Sequence, residues 1–177
     1  MRKISTHRHA FTLIEILSVV VILGIISAVV LPQMSSRDDQ RAASASRVVM
    51  SDLLYAQNCA VAKQKIHYIK FDVTNKKYSV MDALLPTPNV IKNPVDGSTY
   101  TVQFGSSSTS GLKDMQLQSA AFDTQTVLAF DVMGIPQSVN ATTGVMTPLS
   151  SGSIKVKSGN YTMTITVSPY SGELVVQ

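Results

Sequence analysis

Glu15 is the only ionisable residue in an otherwise uncharged stretch that runs from Phe11 to Leu31. A helix of that length covers about 30 Å, which matches the hydrocarbon core of a bilayer. A charged side chain at the bilayer centre costs about 2.5–3.5 kcal/mol on insertion scales, so it normally needs a partner. A cut between Ala10 and Phe11 would create an α-amino group four residues from Glu15, on the same helix face. The spacing therefore predicts that cleavage, membrane insertion and pairing of the Glu15 carboxylate form one mechanism.

The charges on either side of this stretch predict its orientation. The preceding residues include Arg2, Lys3 and Arg8 and no acidic residue, whereas the following segment mixes arginines with Asp38 and Asp39. Positive residues favour the cytoplasmic side, so we expect the N-terminus inside and the remainder of the chain exported. An ordinary secretory signal would have a shorter apolar core and a small-residue cleavage site after it. A simple uncleaved anchor would account for the hydropathy but would give Glu15 no purpose.

The order of these features resembles a known signal. The basic leader followed by Ala10-Phe11-Thr12-Leu13-Ile14-Glu15 is similar to the class III signal of type IV pilins and type II secretion pseudopilins. In that family a small residue, usually glycine, precedes the cut, and here the residue is alanine. The proline at position 32 matches the one that commonly ends the membrane segment.

The resemblance implies a set of partners and a location. A prepilin peptidase would cleave after Ala10, Phe11 would be N-methylated, and Glu15 would pair with the amino terminus of a neighbouring subunit in a filament. The chain would then be a single-pass inner-membrane protein with a cytoplasmic N-terminus and a periplasmic C-terminal domain. The expected organisation is a leader over residues 1–10, a transmembrane and filament-core helix over 11–32, and an exported domain over 33–177. Gly24 and Ala28 have the small-x-x-x-small spacing that lets membrane helices approach closely.

Removing the leader changes the charge of the chain. The full sequence has 15 basic and 11 acidic residues, net +4. The leader holds three of the basic residues, so the mature chain has 15 − 3 = 12 basic against 11 acidic residues, net +1. The basic character is therefore no nucleic-acid signature, and no nucleic acid is expected as a partner. Cys59 is the only cysteine, so no intrachain disulfide is possible, and we interpret it as a small buried hydrophobe.

The exported part combines one helix with many short strands. Apolar residues at spacings of three and four predict a second helix with a single buried stripe, and Arg41, Arg47, Asp52 and Lys63 fall largely off it. Ser36-x-x-Asp39 is a weak capping-box signal after the proline. The stripe comprises Ala42, Ala45, Val49, Leu53, Ala56 and Ala60. The pattern predicts a long N-terminal helix, half in the membrane and half amphipathic, that the proline either kinks or interrupts.

After residue 68 the apolar residues recur at every second position, which is typical of β-strands. A hairpin is predicted over 69–80 with its turn at Asn75-Lys76-Lys77, and Asp96-Gly97 signals another turn. Gly105–Gly111 is predicted to be a mobile loop. Further strands are expected at 100–104, 115–117, 126–130, 153–156, 161–167 and 173–176. This predicts an α+β, pilin-like fold in which the long helix packs on an antiparallel β-sheet.

The second half of the chain carries a shorter resemblance. Leu128-Ala129-Phe130-Asp131-x-x-Gly134-x-Pro136, a late pair of strands and Pro169-x-Ser171-Gly172 resemble the C-terminal half of GspH-type minor pseudopilins. The helix segment Ser51–Gln57 resembles the same subgroup. A related competence pilin that binds DNA has an arginine-rich ending, whereas Gly172 is followed here by Glu173-Leu174-Val175-Val176.

Catalytic and metal-binding patterns are scarce. A nucleophilic pair of Cys59 and His67 lacks a third orienting residue, and we interpret His67, at the start of a strand, as a surface or interface residue. Asp96, Asp123 and Asp131 supply too few closely spaced oxygen ligands for calcium. We therefore expect no enzyme, no cofactor, no metal and no small-molecule substrate.

The sequence leaves three functions open. The first is a structural subunit, a minor pseudopilin, of a type II secretion pseudopilus that is processed by a prepilin peptidase and assembles with other pilin-like subunits. The second is a minor pilin of a type IV pilus or DNA-uptake machine. The third is a membrane-anchored periplasmic binding module that never polymerises.

Overall fold

The structure is a computed structural model that describes residues 11–33, 37–105 and 112–177, with only the backbone described for 29–33. It divides into two compact units, one ending at Arg37 and one over Asp38–Gln177, and each is described by itself. The leader, Ala10, the Ser36 capping signal, the junction between the two predicted helix halves and most of the predicted 105–111 loop lie outside the described residues.

The first unit contains helix α1, Leu13–Gln33. Thr12 begins it, because its Oγ1 and its carbonyl oxygen both accept from the Glu15 backbone N–H, at 3.3 and 3.1 Å. A threonine in this position satisfies a backbone donor that has no partner within the helix. None of the helices within the described residues is long and apolar enough to cross a membrane.

The second unit begins with helix α2, Asp38–Lys63. Asp38 and Asp39 lie in its first turn and Lys63 in its last, which complements the helix dipole at both ends. Gln64 follows with φ 50°, and the Lys65 N–H reaches back to the Ala60 carbonyl at 3.2 Å. This is a Schellman-type helix end, formed here without glycine.

Within the described residues, eleven strands follow the helix and form two antiparallel sheets. Their bounds are β1 His67–Asp72, β2 Lys77–Ala83, β3 Asn89–Val90, β4 Thr101–Gln103, β5 Met115–Phe122, β6 Val127–Phe130, β7 Pro136–Val139, β8 Met146–Pro148, β9 Gly152–Ser158, β10 Tyr161–Val167 and β11 Leu174–Val176. The seven-stranded sheet has the order β3-β2-β1-β6-β7-β8, with β4 also paired to β2. The four-stranded sheet has the order β11-β10-β9-β5.

The predicted α+β class and the helix-on-sheet packing are confirmed, but the sequence led us to expect one sheet where there are two. Helix α2 contacts β1 and β6 of the larger sheet and β5, β9 and β10 of the smaller one. All six residues of the predicted stripe are 1% exposed or less, so this one face of α2 fills the space between both sheets. The predicted hairpin and the later strands are present, whereas β3, β7 and β8 were not predicted.

Candidate functional site

The described side chains of the α1 segment present an apolar surface on every side. The large hydrophobic residues from Phe11 to Ile26 are all between 48% and 84% exposed. Gly24 and Ala28 are exposed as well, and a Cβ added to Gly24 would meet nothing within 4 Å. Exposed apolar surface of this extent is characteristic of a protein or membrane interaction site.

Glu15 lies in the first turn of this surface, with its side chain exposed. Thr12 and Glu15 have the T-x-x-E spacing of a capping box, and the threonine half of that box is formed. The position near the helix N-terminus also favours a negative charge. Sequence reasoning singled out Glu15 but missed Thr12, although the spacing alone signals the cap. Pro32 lies within α1, one residue before its end.

A buried carboxylate joins α2 to the larger sheet. Asp52 is 7% exposed and accepts hydrogen bonds from the hydroxyls of Tyr78, on β2, and Tyr100, at 2.9 Å in the latter case. The prediction that Asp52 lies off the buried stripe is therefore wrong. Burial raises the pKa of the Asp52 carboxyl, while the tyrosine hydroxyls and Ser51 oppose that rise because they stabilise the carboxylate. The pKa values of Tyr78 and Tyr100 are raised as well, mainly because the two hydroxyls are buried and secondly because the Asp52 carboxylate is close to them.

The two residues that sequence reasoning considered for nucleophilic chemistry are both buried. Cys59 is 8% exposed, as expected for a small hydrophobe. His67 is fully buried, so its interpretation as a surface or interface residue is wrong. Its Nδ1 lies 2.8 Å from the Lys65 carbonyl oxygen, and its Nε2 has no hydrogen-bond partner among the described residues. Neither side chain is presented to a substrate.

The three loop aspartates do not come together. Asp96 accepts from the Ser98 N–H and hydroxyl, and Asp131 accepts from two N–H groups of its own turn. Asp123 accepts from the Ser151 N–H at 2.9 Å. Asp96 and Asp131 therefore each stabilise a local backbone turn, whereas Asp123 bonds to a segment 28 residues further along the chain. The described residues contain no cluster of three metal-ligating side chains.

The two segments that carry the C-terminal resemblance meet on one side chain of α2. Gln57 Nε2 donates to the Gly134 carbonyl oxygen at 2.9 Å and to the Ser171 carbonyl oxygen at 3.2 Å. Gly134 and Gly172 are buried with φ of 82° and 69°, which favours glycine. A Cβ at Gly172 would lie 2.6 Å from Gln57 Nε2. Sequence reasoning named these two segments and the helix segment that ends at Gln57, but not the contact that connects the three.

Comparison with known proteins gives one family match and one structural match. Residues 5–31 match the family model described as a prokaryotic N-terminal methylation motif. No curated protein matches the sequence. The fold is similar to the structure of the minor pseudopilin EpsH from the type 2 secretion system of Vibrio cholerae, with a TM-score of 0.53 and 12% sequence identity. That match covers 77% of this chain and 96% of the EpsH chain.

The two findings differ in extent. The motif match includes Phe11 and Glu15, and the structural match covers 77% of the chain at an identity that compares the fold alone. The chain therefore joins a prokaryotic N-terminal methylation motif to a pilin-like fold that is similar to the structure of a minor pseudopilin.

Proposed function

We propose that this protein is a structural subunit, a minor pseudopilin, of a type II secretion pseudopilus. The observation that carries the proposal is the methylation motif at residues 5–31, in which Glu15 is the single charge on an exposed apolar helix. The similarity to EpsH supports the type II secretion system over a type IV pilus or DNA-uptake machine. The role is structural rather than catalytic.

Processing comes first in the proposed mechanism. A prepilin peptidase cleaves between Ala10 and Phe11, and the new amino group on Phe11 is then methylated. The segment 11–32 anchors the chain in the inner membrane, with the leader in the cytoplasm and the β-rich domain in the periplasm. These steps rest on the motif and on the basic leader without acidic residues.

Assembly follows through the same segment. The Glu15 carboxylate pairs with the amino terminus of a neighbouring subunit, because a charge in an apolar environment requires a partner of opposite sign. Gly24 and Ala28 lie on an open part of α1, where a neighbouring helix can approach closely. Pro32 marks the end of the packing segment.

Replacement of Glu15 tests the assembly step. The variant Glu15→Leu should be cleaved and anchored like the native chain but should fail to enter filaments, measured by subunit cross-linking in cells that assemble the pseudopilus. The matched control is Ser18→Leu, which adds an apolar side chain one turn further along α1 and should assemble normally. If Glu15→Leu kept the full biological function of the protein without entering filaments, the protein would instead be an anchored binding module that does not polymerise.

A further inference from the structure

The four-stranded sheet has an outer face that nothing in the described part of the chain covers. Its inner face, with Ile154, Val156 and Ile165, is buried beneath α2. On the outer face the strand register aligns Gln116, Lys157 and Thr162 in one row across β5, β9 and β10. The next rows contain Lys155 beside Thr164, and then Thr166. These side chains are exposed or half-exposed.

The charged side chains on the strands of this outer face are both positive. Lys155 and Lys157 lie on the central strand β9, two residues apart, so both side chains point away from α2. The strands β5, β9, β10 and β11 contain no aspartate or glutamate, and the nearest acidic residues in sequence, Asp114 and Glu173, lie at the sheet ends, directly before β5 and β11. Among the described residues, neither lysine ammonium lies within 4 Å of a carboxylate.

The other lysines on sheet surfaces are arranged differently. Lys77 on β2 lies directly opposite Asp72 on β1, and Lys70 is two residues from Asp72 on the same face. Lys65 forms an ion pair with Asp82 at 2.9 Å. Over residues 38–177 there are 11 basic and 10 acidic residues, so the domain as a whole is close to neutral. The excess of positive charge on the outer face of the four-stranded sheet is therefore local.

We propose that this face docks an acidic protein segment, whose carboxylates pair with Lys155 and Lys157 and whose polar groups bond to the threonines and Gln116. Complementary charge of this kind sets specificity and the rate of encounter between proteins. The face has no aromatic side chain on which nucleic-acid bases could stack, and two lysines neutralise few phosphates. Among the described residues, the large exposed apolar side chains of this face are limited to Val175, opposite Thr166, which is too little to enter a membrane interface. The inference does not depend on filament assembly.

Binding of a short fluorescein-labelled polyglutamate peptide to the full chain in non-ionic detergent tests the proposal. We expect the peptide to bind at low ionic strength and to weaken as salt is raised. The double variant Lys155→Gln/Lys157→Gln should bind about tenfold more weakly, since exposed ion pairs contribute modestly and two are lost. The matched control Lys70→Gln/Lys77→Gln removes the same charge from the other sheet and should bind as the native chain does.

Several results would overturn the proposal. Equal weakening in both double variants would show that only net charge matters, and an absence of polyglutamate binding would exclude an acidic peptide ligand. Binding of duplex DNA or of phosphatidylglycerol vesicles in preference to polyglutamate, with loss in Lys155→Gln/Lys157→Gln, would assign the face to a different class of partner.

Discussion

Replacement of Asp52 is the sharpest test of how the domain is held together. In Asp52→Ala two tyrosine hydroxyls, on Tyr78 and Tyr100, lose their acceptor at positions that are 1% and 7% exposed. Hydrogen bonds to a charged group contribute about 1.5–3 kcal/mol each, and unsatisfied buried groups carry their full desolvation cost. The loss is partly offset because a buried charge is also removed. We expect the free energy of unfolding to fall by about 2–4 kcal/mol, a large share of the total for a domain of this size.

The pH dependence of the same site has a definite sign. Burial raises the pKa of Asp52 in the folded domain, so between its unfolded value and that raised value the folded state binds more protons than the unfolded state. The contribution of Asp52 to stability is therefore fully present below the unfolded pKa and is lost as the pH rises through the folded pKa. Relative to Asp52→Asn, which cannot titrate, the native domain should gain stability as the pH is lowered from neutral.

Urea unfolding of the domain over Asp38–Gln177, followed by circular dichroism, measures both effects. Asn58→Ala on the exposed side of α2 is the control and should change the free energy of unfolding by less than about 0.5 kcal/mol. A cost below about 0.5 kcal/mol for Asp52→Ala would refute the buried network. A free energy of unfolding of the native domain that falls relative to that of Asp52→Asn on acidification would refute the direction of the pKa shift.

Other predictions concern α2 and its contacts. Gln57→Ala removes two hydrogen bonds to loop carbonyls and should lower the free energy of unfolding, measured in urea, by about 1–2 kcal/mol. An unchanged midpoint of urea unfolding would show that the two loops are stable without these hydrogen bonds. Gly172→Ala places a Cβ against Gln57 at a left-handed φ and should lower the free energy of unfolding by about 1–3 kcal/mol relative to the native domain. The midpoint of urea unfolding measures this change as well. The free energy of unfolding of Cys59→Ala should lie within about 1.5 kcal/mol of the native value, and the variant should assemble normally. A variant that is stable but has lost the biological function of the protein would indicate thiol chemistry.

The parts of the fold that follow from local patterns were predictable. The stripe of α2 repeats every three to four residues, and the β1–β2 hairpin alternates around an Asn-Lys-Lys turn, so both can be read without tertiary information. Strands β3, β7 and β8 have only two, four and three residues, too few to show a period. Pro136 and Pro148 within two of them further conceal the strands.

Long-range pairing could not be read from the chain. Asp52 looks like a solvent-facing residue until Tyr78 and Tyr100, 26 and 48 residues further on, supply its hydrogen bonds. The division into two sheets depends on β5 pairing with β9 while β6, β7 and β8, which lie between them in sequence, join the other sheet. At the N-terminus the signal was almost entirely local, because residue types and spacing around Glu15 carry the motif.

The most direct test of the central claim is the intact mass of the full chain expressed with and without a prepilin peptidase. We expect the peptidase to remove residues 1–10 and to leave a mature chain that begins at Phe11 and carries one added methyl group. A mass that is unchanged by the peptidase would contradict the account, and so would a cut at any position other than the Ala10–Phe11 bond.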